Sequence, residues 1–292
     1  MERKGIITAM VTPMDEDQQI DFVATRNLVK RLISKGVDGL FILGTNGEAH
    51  ALTNEERLAF AKTVVDEVGG CVPVYAGVGE NSTSATITLA KKMEKLGVDA
   101  LSVITPYFIP PSQEELIEHY RRIASAVALP ILIYNMPGKT GVNVEPETVQ
   151  VLADIPNLVG IKDSSGNLEN MKRYIACTKE KDFAVLSGSD SLILDVLEAG
   201  GAGGVSATSN LIIDTIVSIY KYWQAGKFEE AKIAQAAIEP LRDVLKLGTI
   251  PSVLKASLNL AGIQVGPPRF PVMVPNEENM EKIKPIVKGY QL

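Results

Sequence analysis

Leu158-Val159-Gly160-Ile161-Lys162 is a short apolar run with the composition of a buried strand, and it ends on a lysine. Successive strand residues point to opposite faces, so Gly160 and Lys162 share one face and Ile161 takes the other. With Ile161 packed against helices, Lys162 points into the mouth of the sheet, and Gly160 leaves room beside it. A lysine confined there loses hydration, which favours the neutral amine, the form that attacks a carbonyl and condenses to a Schiff base. The same Ile-Lys-Asp, read alone, also fits a lysine that begins a loop and reaches solvent.

Tyr134 closes Pro130-Ile131-Leu132-Ile133 in the same manner. Its phenol could relay a proton, given a partner to position it; a packed core tyrosine is the plainer reading. In Gly44-Thr45-Asn46-Gly47-Glu48 the short polar side chains of Thr45 and Asn46 join backbone N–H groups freed by two glycines ahead of a helix. That is a concavity suited to a carboxylate or phosphate, and a tight turn explains it equally well. Pro137-Gly138-Lys139-Thr140-Gly141 imitates a phosphate loop, but the earlier glycine would fall on Ile133, inside a strand. His50 and His119 are the only histidines, and His119, in a helical Glu-Glu-Leu-Ile-Glu-His segment, is expected on the surface. A histidine-rich metal site is excluded, carboxylate-bound Mg²⁺ is not, and no Ser-His-Asp or Cys-His spacing supports a triad.

Such groups must sit at the ends of regular elements, and the chain repeats one junction. Apolar residues at helical spacing over 27–35 stop at Gly36, and a strand reads over 37–43; Ile87, Leu89, Ala90, Met93 and Leu96 then mark a helix stopped by Gly97, before a strand over 98–104. Gly-Val-Asp-(Gly/Ala)-Leu opens both strands, and a degenerate third copy runs through 197–206, where the glycines of 200–204 read as a helix stop and a crowded strand entry. With further runs at 5–12, 72–76, 129–134, 158–162 and 183–187, eight strands alternate with helices. This predicts an α/β protein with a parallel sheet, most simply a closed (β/α)8 TIM barrel, the open doubly wound sheet being the alternative. Helical patterning over 212–224, 228–247, 251–261 and 276–287 follows. The expected organisation is therefore a catalytic barrel over 1–225 and a C-terminal helical extension over 226–292, with active groups at the C-terminal ends of the strands.

The 292 residues, 46% apolar and 22% charged, are enough to bury a large core, which excludes a disordered chain. A formal charge of −6 with no basic stripe excludes nucleic acid as a partner. No apolar stretch reaches the ~18 residues of a membrane span, and the short apolar start, closed by Pro13, reads as a strand and not as a secretory leader. Cys71 and Cys177 have no CxxC spacing and are expected as reduced core thiols, hence a cytoplasmic location.

Taken together, Gly44-Thr45-Asn46-Gly47-Glu48, Tyr134-Asn135-Met136-Pro137 with Thr140-Gly141, and Gly160-Ile161-Lys162-Asp163-Ser164-Ser165-Gly166 resemble the dihydrodipicolinate synthase/N-acetylneuraminate lyase family, in order and at compatible spacing over nearly the whole chain. The resemblance implies a (β/α)8 barrel with a C-terminal helical appendage, a homotetramer, and a class I aldolase-type lyase without metal or organic cofactor. It implies that Lys162 forms the imine with pyruvate or another 2-oxo acid and that Tyr134 shuttles protons. Thr45 and Asn46 would hold the carboxylate, and Val205 would line the pyruvate pocket with its backbone carbonyl. Synthases of this family usually carry a second threonine where Asn46 stands, a tyrosine lent to the neighbouring subunit where Phe108 stands, and an arginine for the aldehyde's carboxylate where Lys139 stands. Sialic-acid lyases often have a glutamate at Ser191, and lysine-regulated synthases an acidic residue near Ser82-Thr83-Ser84-Ala85. These departures point to an aldolase for a 2-keto-3-deoxy sugar acid or related 4-hydroxy-2-oxo acid, without feedback by lysine. The alternatives are a 4-hydroxy-tetrahydrodipicolinate (dihydrodipicolinate) synthase and, from another class, a non-catalytic carboxylate-binding barrel.

Overall fold

An apolar strand followed by an amphipathic helix reaches a parallel neighbour only by crossing back over the sheet, and repetition of that step curls the sheet round on itself. The computed structural model, which describes residues 3–290, opens with β1 (Gly5–Ala9), α1 (Phe22–Ser34), β2 (Gly39–Ile42), α2 (Asn54–Val68) and β3 (Val74–Gly77). Next come α3 (Thr83–Leu96), β4 (Ala100–Ile104), α4 (Gln113–Ala126), β5 (Ile131–Asn135), α5 (Pro137–Thr140) and α6 (Pro146–Leu152). The series ends with β6 (Leu158–Asp163), α7 (Leu168–Cys177), β7 (Ala184–Ser187), α8 (Ile193–Glu198) and β8 (Gly203–Ser206). The eight strands are parallel and close into a barrel in chain order, the fold expected from the alternation. Helices α9 (Ile213–Gln224), α10 (Phe228–Ala236), α11 (Glu239–Leu245), α12 (Ser252–Leu260) and α13 (Glu277–Gly289) follow. Among the described residues no helix is long and apolar enough to cross a membrane.

Local chemistry sets the boundaries. Capping boxes at Thr53/Glu56 and Ser112/Glu115 start α2 and α4, and Gly97, at φ +85, ends α3. At the entry to β8 a Cβ on Gly203 would lie 2.1 Å from Gly5 O, the crowding read from the glycine run. The helix expected over 228–247 is two helices, because Pro240 in the first turn of α11 has no N–H to donate and its ring excludes the carbonyl one turn back.

The described residues fall into two compact units. In the first, residues up to Gly5 with Tyr75–Val205, the buried side chains of Leu101, Val103, Ile131, Ile133 and Ile161 form the core, and Tyr120 on α4 donates its hydroxyl to Val103 O at 3.0 Å. His119 belongs to this interior, contrary to the surface position expected for it: it is 6% exposed and its Nδ1 lies 2.8 Å from Thr83 Oγ1 on α3. The cysteines depart from expectation in the other direction. Cys71 is exposed beyond the end of α2, and Cys177 is half-buried at the end of α7, its thiol pushed up by burial.

In the second unit, Ile6–Val74 with the chain from Ser206 on, the segment after α12 returns over the loops that follow β1 and β2. Met14 N donates to Val265 O at 3.0 Å, and Gly266, at φ +64, comes so close that a Cβ would lie 1.7 Å from Met14 O. The Arg269 guanidinium donates to Gln18 O and Ala51 O at 3.1 Å and pairs with Glu56 at 2.8 Å, holding that carboxyl below the usual range. Glu48 lies 2.7 Å from Lys255 Nζ and accepts from Arg269 N at 2.7 Å; Lys255 also donates to Pro267 O at 2.7 Å. Both members of this pair are buried, and loss of hydration lowers the affinity of Lys255 for its proton while Glu48 opposes that.

Two stability effects follow from these burials. Lys255→Met leaves Glu48 buried and uncompensated and is expected to lower unfolding free energy by about 3–5 kcal/mol. Adding Glu48→Gln should recover much of it, and denaturant unfolding of both variants is the check; a Lys255→Met chain as stable as the parent would refute the reading. For His119, burial depresses the imidazole from 6.5 to about 4, its Nε2 having no hydrogen-bond partner among the described residues. The unfolded chain therefore takes up this proton first as pH falls. The contribution is complete above pH 6.5 and is lost between 6.5 and about 4, amounting to at most about 3 kcal/mol. The Tm of the parent should fall more steeply across that window than that of His119→Phe; parallel curves would count against it.

Candidate active site

Tyr134 and Lys162 are lateral partners in the β5–β6 register, flanked by Ile104 on β4 and Leu186 on β7, so their side chains rise from one face. Lys162 Nζ lies 4.1 Å from the centroid of the Tyr134 ring, and the Tyr134 hydroxyl donates to Met136 Sδ at 2.9 Å. The two residues are 3% and 4% exposed, which makes Lys162 the interior lysine of the two possibilities its strand position allowed.

Space for the lysine comes from a different glycine than expected. A Cβ on Gly160 would lie 2.5 Å from Ala184 O and 3.0 Å from Leu132, so this glycine serves strand packing. A Cβ on Gly188, just past β7, would lie 2.0 Å from Ser164 Oγ and 3.0 Å from Lys162 Cε. Gly188 N donates to Asp163 O at 2.7 Å, which fixes the loop against the lysine strand.

The residues that follow the reactive pair in sequence, Asn135 and Asp163, occupy the opposite face and are fully buried. Asn135 Nδ2 donates to Asp163 Oδ1 at 2.8 Å, and Ser165 donates its hydroxyl to Asp163 Oδ2 at 2.6 Å. Asn170 and Tyr174 on α7 join the same group, which identifies this as the helix side of the strands and the Lys162 face as the other. Burial pushes the Asp163 carboxyl up, opposed by hydrogen bonds from Ser165 and Asn135.

In the loop after β2 the residues at positive φ are Leu43 (+56) and Glu48 (+55), not the glycines. Gly44 and Gly47 serve close approach: a Cβ on the first would lie 2.6 Å from the Phe41 ring, and one on the second 3.0 Å from Leu43 N. Thr12 donates its hydroxyl to Gly47 O at 2.7 Å, and Glu48 is held by Lys255 and Arg269. Thr45 and Asn46, between these anchors, are half-buried side by side. Val205 is buried in β8, two residues beyond Gly203, which stands in lateral register with Leu186. Lys139 is exposed on the single turn of α5, and Phe108, 88% exposed, has φ +75.

A buried amine stacked on a phenol is equipped for imine formation with proton transfer at neighbouring atoms. Of the predicted residues the structure brings Lys162 and Tyr134 together, and it places Thr45 and Asn46 as neighbours in their loop. The sequence reading missed Asn135, Asp163, Gly188 and the Glu48–Lys255 pair. For Asn135 and Asp163 a signal existed, since alternation assigns both to the buried face of Ile133 and Ile161, where a polar residue requires partners.

The model of the dihydrodipicolinate synthetase family matches residues 2–290. The chain is 42% identical to the 4-hydroxy-tetrahydrodipicolinate synthase 1 of Halalkalibacterium halodurans, over 96% of this chain and 94% of that one. A solved dihydrodipicolinate synthase from Bacillus anthracis superposes with TM-score 0.95 at 37% identity, covering 99% and 98% of the two chains. A monomeric dihydrodipicolinate synthase variant does so with TM-score 0.96 at 36% identity, covering 99% and 97%.

The Gly188 contact is testable. No positive φ demands glycine there, so Gly188→Ala should still fold, with about 1–3 kcal/mol lost to overpacking, while its methyl displaces Ser164 and Lys162 Cε. Capture of a 2-oxo acid at Lys162 by borohydride should slow roughly tenfold, on the scale by which small misplacements of a reacting group act; unaltered capture would show the space to be unimportant.

Proposed function

This chain belongs to the dihydrodipicolinate synthetase family and is a class I, Schiff-base-forming, pyruvate-dependent lyase; from that premise we propose that it condenses pyruvate with aspartate semialdehyde to 4-hydroxy-tetrahydrodipicolinate. The observation that carries the chemistry is the Lys162 amine 4.1 Å over the Tyr134 ring. The amine attacks the keto carbon of pyruvate, Tyr134 relays the protons, and loss of water leaves an iminium. Loss of a methyl proton gives an enamine, which forms the new C–C bond at the aldehyde carbon, and the alkoxide takes up a proton. Attack by the aldehyde substrate's own amine then closes the ring and releases Lys162.

Thr45 and Asn46 are proposed to hold the pyruvate carboxylate, Val205 to offer its carbonyl to the bound 2-oxo acid, and Lys139 to meet the carboxylate of the aldehyde. The choice of aldehyde reverses the order of the two readings taken from sequence. It is supported by the names of relatives 37–42% identical over nearly their whole length. It is supported too by Lys139, an exposed cation that suits an aldehyde bearing a carboxylate better than a neutral hydroxy-aldehyde. Cleavage of a 2-keto-3-deoxy sugar acid stays as the second reading, favoured by Phe108, which has no hydroxyl to relay a proton, and by Lys139, which lacks the two-pronged fork of arginine. The homotetramer and the cytoplasmic location belong to the same proposal, and Phe108 and Ile109, 88% and 72% exposed, are apolar surface that such an assembly would cover.

Pyruvate with borohydride should leave a reduced adduct on Lys162, located by peptide mass spectrometry, and Tyr134→Phe should lower the rate roughly 10²–10⁴-fold without abolishing the adduct. No adduct at saturating pyruvate would end the Schiff-base reading. Comparison of kcat/KM for aspartate semialdehyde plus pyruvate with that for a 2-keto-3-deoxy sugar acid decides the aldehyde. A higher value for the sugar acid would make the second reading the right one.

A further inference from the structure

The helix-facing side of β5 and β6 is apolar through Ile131, Ile133 and Ile161 and then ends on Asn135 and Asp163, both fully buried. An apolar pair would have completed that core. The polar pair instead collects the chain that follows α5. Asn135 Nδ2 donates to Asn143 Oδ1 at 2.8 Å, and Asn135 Oδ1 accepts from Val144 N at 3.1 Å. The Tyr174 hydroxyl on α7 accepts from Asn170 Nδ2 at 2.8 Å and from Asn135 Nδ2 at 3.2 Å, and donates to Val144 O. Both backbone polar atoms of Val144 are thus held by side chains of β5 and α7.

This matters for α5, the single turn that carries Lys139. A helix of four residues has no stability of its own and takes its place from its flanks. At one end it is tied to the catalytic strand, since Thr140 Oγ1 donates to Met136 O at 3.2 Å, two residues beyond Tyr134. At the other end Thr140 Oγ1 accepts from Val142 N at 3.3 Å, and the chain runs directly into the anchored Asn143 and Val144. We infer that Asn135, Asp163 and Tyr174 are positioning residues that set α5, and with it Lys139, against the reactive pair, so that they govern recognition of the aldehyde and not imine formation. The inference rests on the proposed function, in which Lys139 meets the aldehyde's carboxylate. Asp163 keeps the Asn135 amide turned toward Asn143 by accepting one of its hydrogens, and is itself fixed by Ser165.

Tyr174→Phe is the cleanest probe. It removes one hydroxyl on α7, leaves the Asn135 amide its bonds to Asp163 and Asn143, and touches neither Lys162 nor Tyr134. Asn143→Ser, which cuts the same tether from the loop side, is the second variant should Tyr174→Phe fail to fold. Three readouts are compared with the parent: hydrogen exchange of residues 137–145, borohydride capture of pyruvate at Lys162, and KM for each substrate. The expected result is faster exchange in that segment, a KM for the aldehyde raised roughly tenfold, and pyruvate KM and capture rate within about twofold of the parent. An unchanged aldehyde KM, or a proportional rise in KM for both substrates, overturns the inference while the parent still forms its pyruvate adduct. A parent enzyme that forms no adduct overturns the functional reading, and this inference with it.

Discussion

A strand cannot place one residue without placing the next. Tyr134 and Lys162 are brought side by side by the β5–β6 register, and the same geometry drives Asn135 and Asp163 into the opposite face. That face is covered by a helix, where a carboxyl or amide without partners would cost several kcal/mol. The polar residues around it, Asn143, Ser165, Asn170 and Tyr174, satisfy that demand almost atom by atom. The polar group under the barrel wall is thus the reverse side of the reactive pair, imposed by the same strand register.

The second unit meets a similar demand by other means. Leu43 and Glu48 hold left-handed backbone at the two ends of the Thr45-Asn46 loop, a conformation that costs a residue other than glycine roughly 1–2 kcal/mol. Such strain persists only where the surroundings over-determine it. Here the Glu48 carboxylate is gripped by Lys255 on α12 and by Arg269 N, and Gly47 O by Thr12. The helices after β8 are therefore part of what shapes this loop. A hydrophobic pair in place of Glu48 and Lys255 would pack as well, but it would not present a carboxylate to a backbone N–H at this point of the turn.

What the sequence made legible follows from the range of the physics. The eight strands are short apolar runs bounded by glycine and proline, and the inward Lys162 and Tyr134 follow from alternation, both local properties. The position of His119 was also within reach, since it lies one turn from Leu116 and Ile123 on the buried stripe of α4; its polarity obscured the periodicity. Gly188 was out of reach, because its need for a missing Cβ arises from Lys162 on the neighbouring strand and Ser164 just beyond it. The partners of Glu48 come from the far end of the chain, and no spacing rule connects a loop glutamate to a lysine in a late helix. The single helix expected over 228–247 failed for a local reason, the weight given to periodicity over Pro240.

The two halves of the proposed reaction are held by different kinds of force. Lys162 and Tyr134 stand on strands whose places are set by the main-chain ladder, which side-chain substitution hardly alters. Lys139 stands on a four-residue turn whose place is set by side-chain hydrogen bonds at Thr140, Asn143 and Val144. A few substitutions can re-aim such a turn without moving the amine, so aldehyde choice is free to vary over constant imine chemistry. Lysine in place of a two-pronged arginine fits that division. A point charge on a flexible stem tolerates small displacements of the turn that a planar fork would not, and it holds a carboxylate less tightly in exchange.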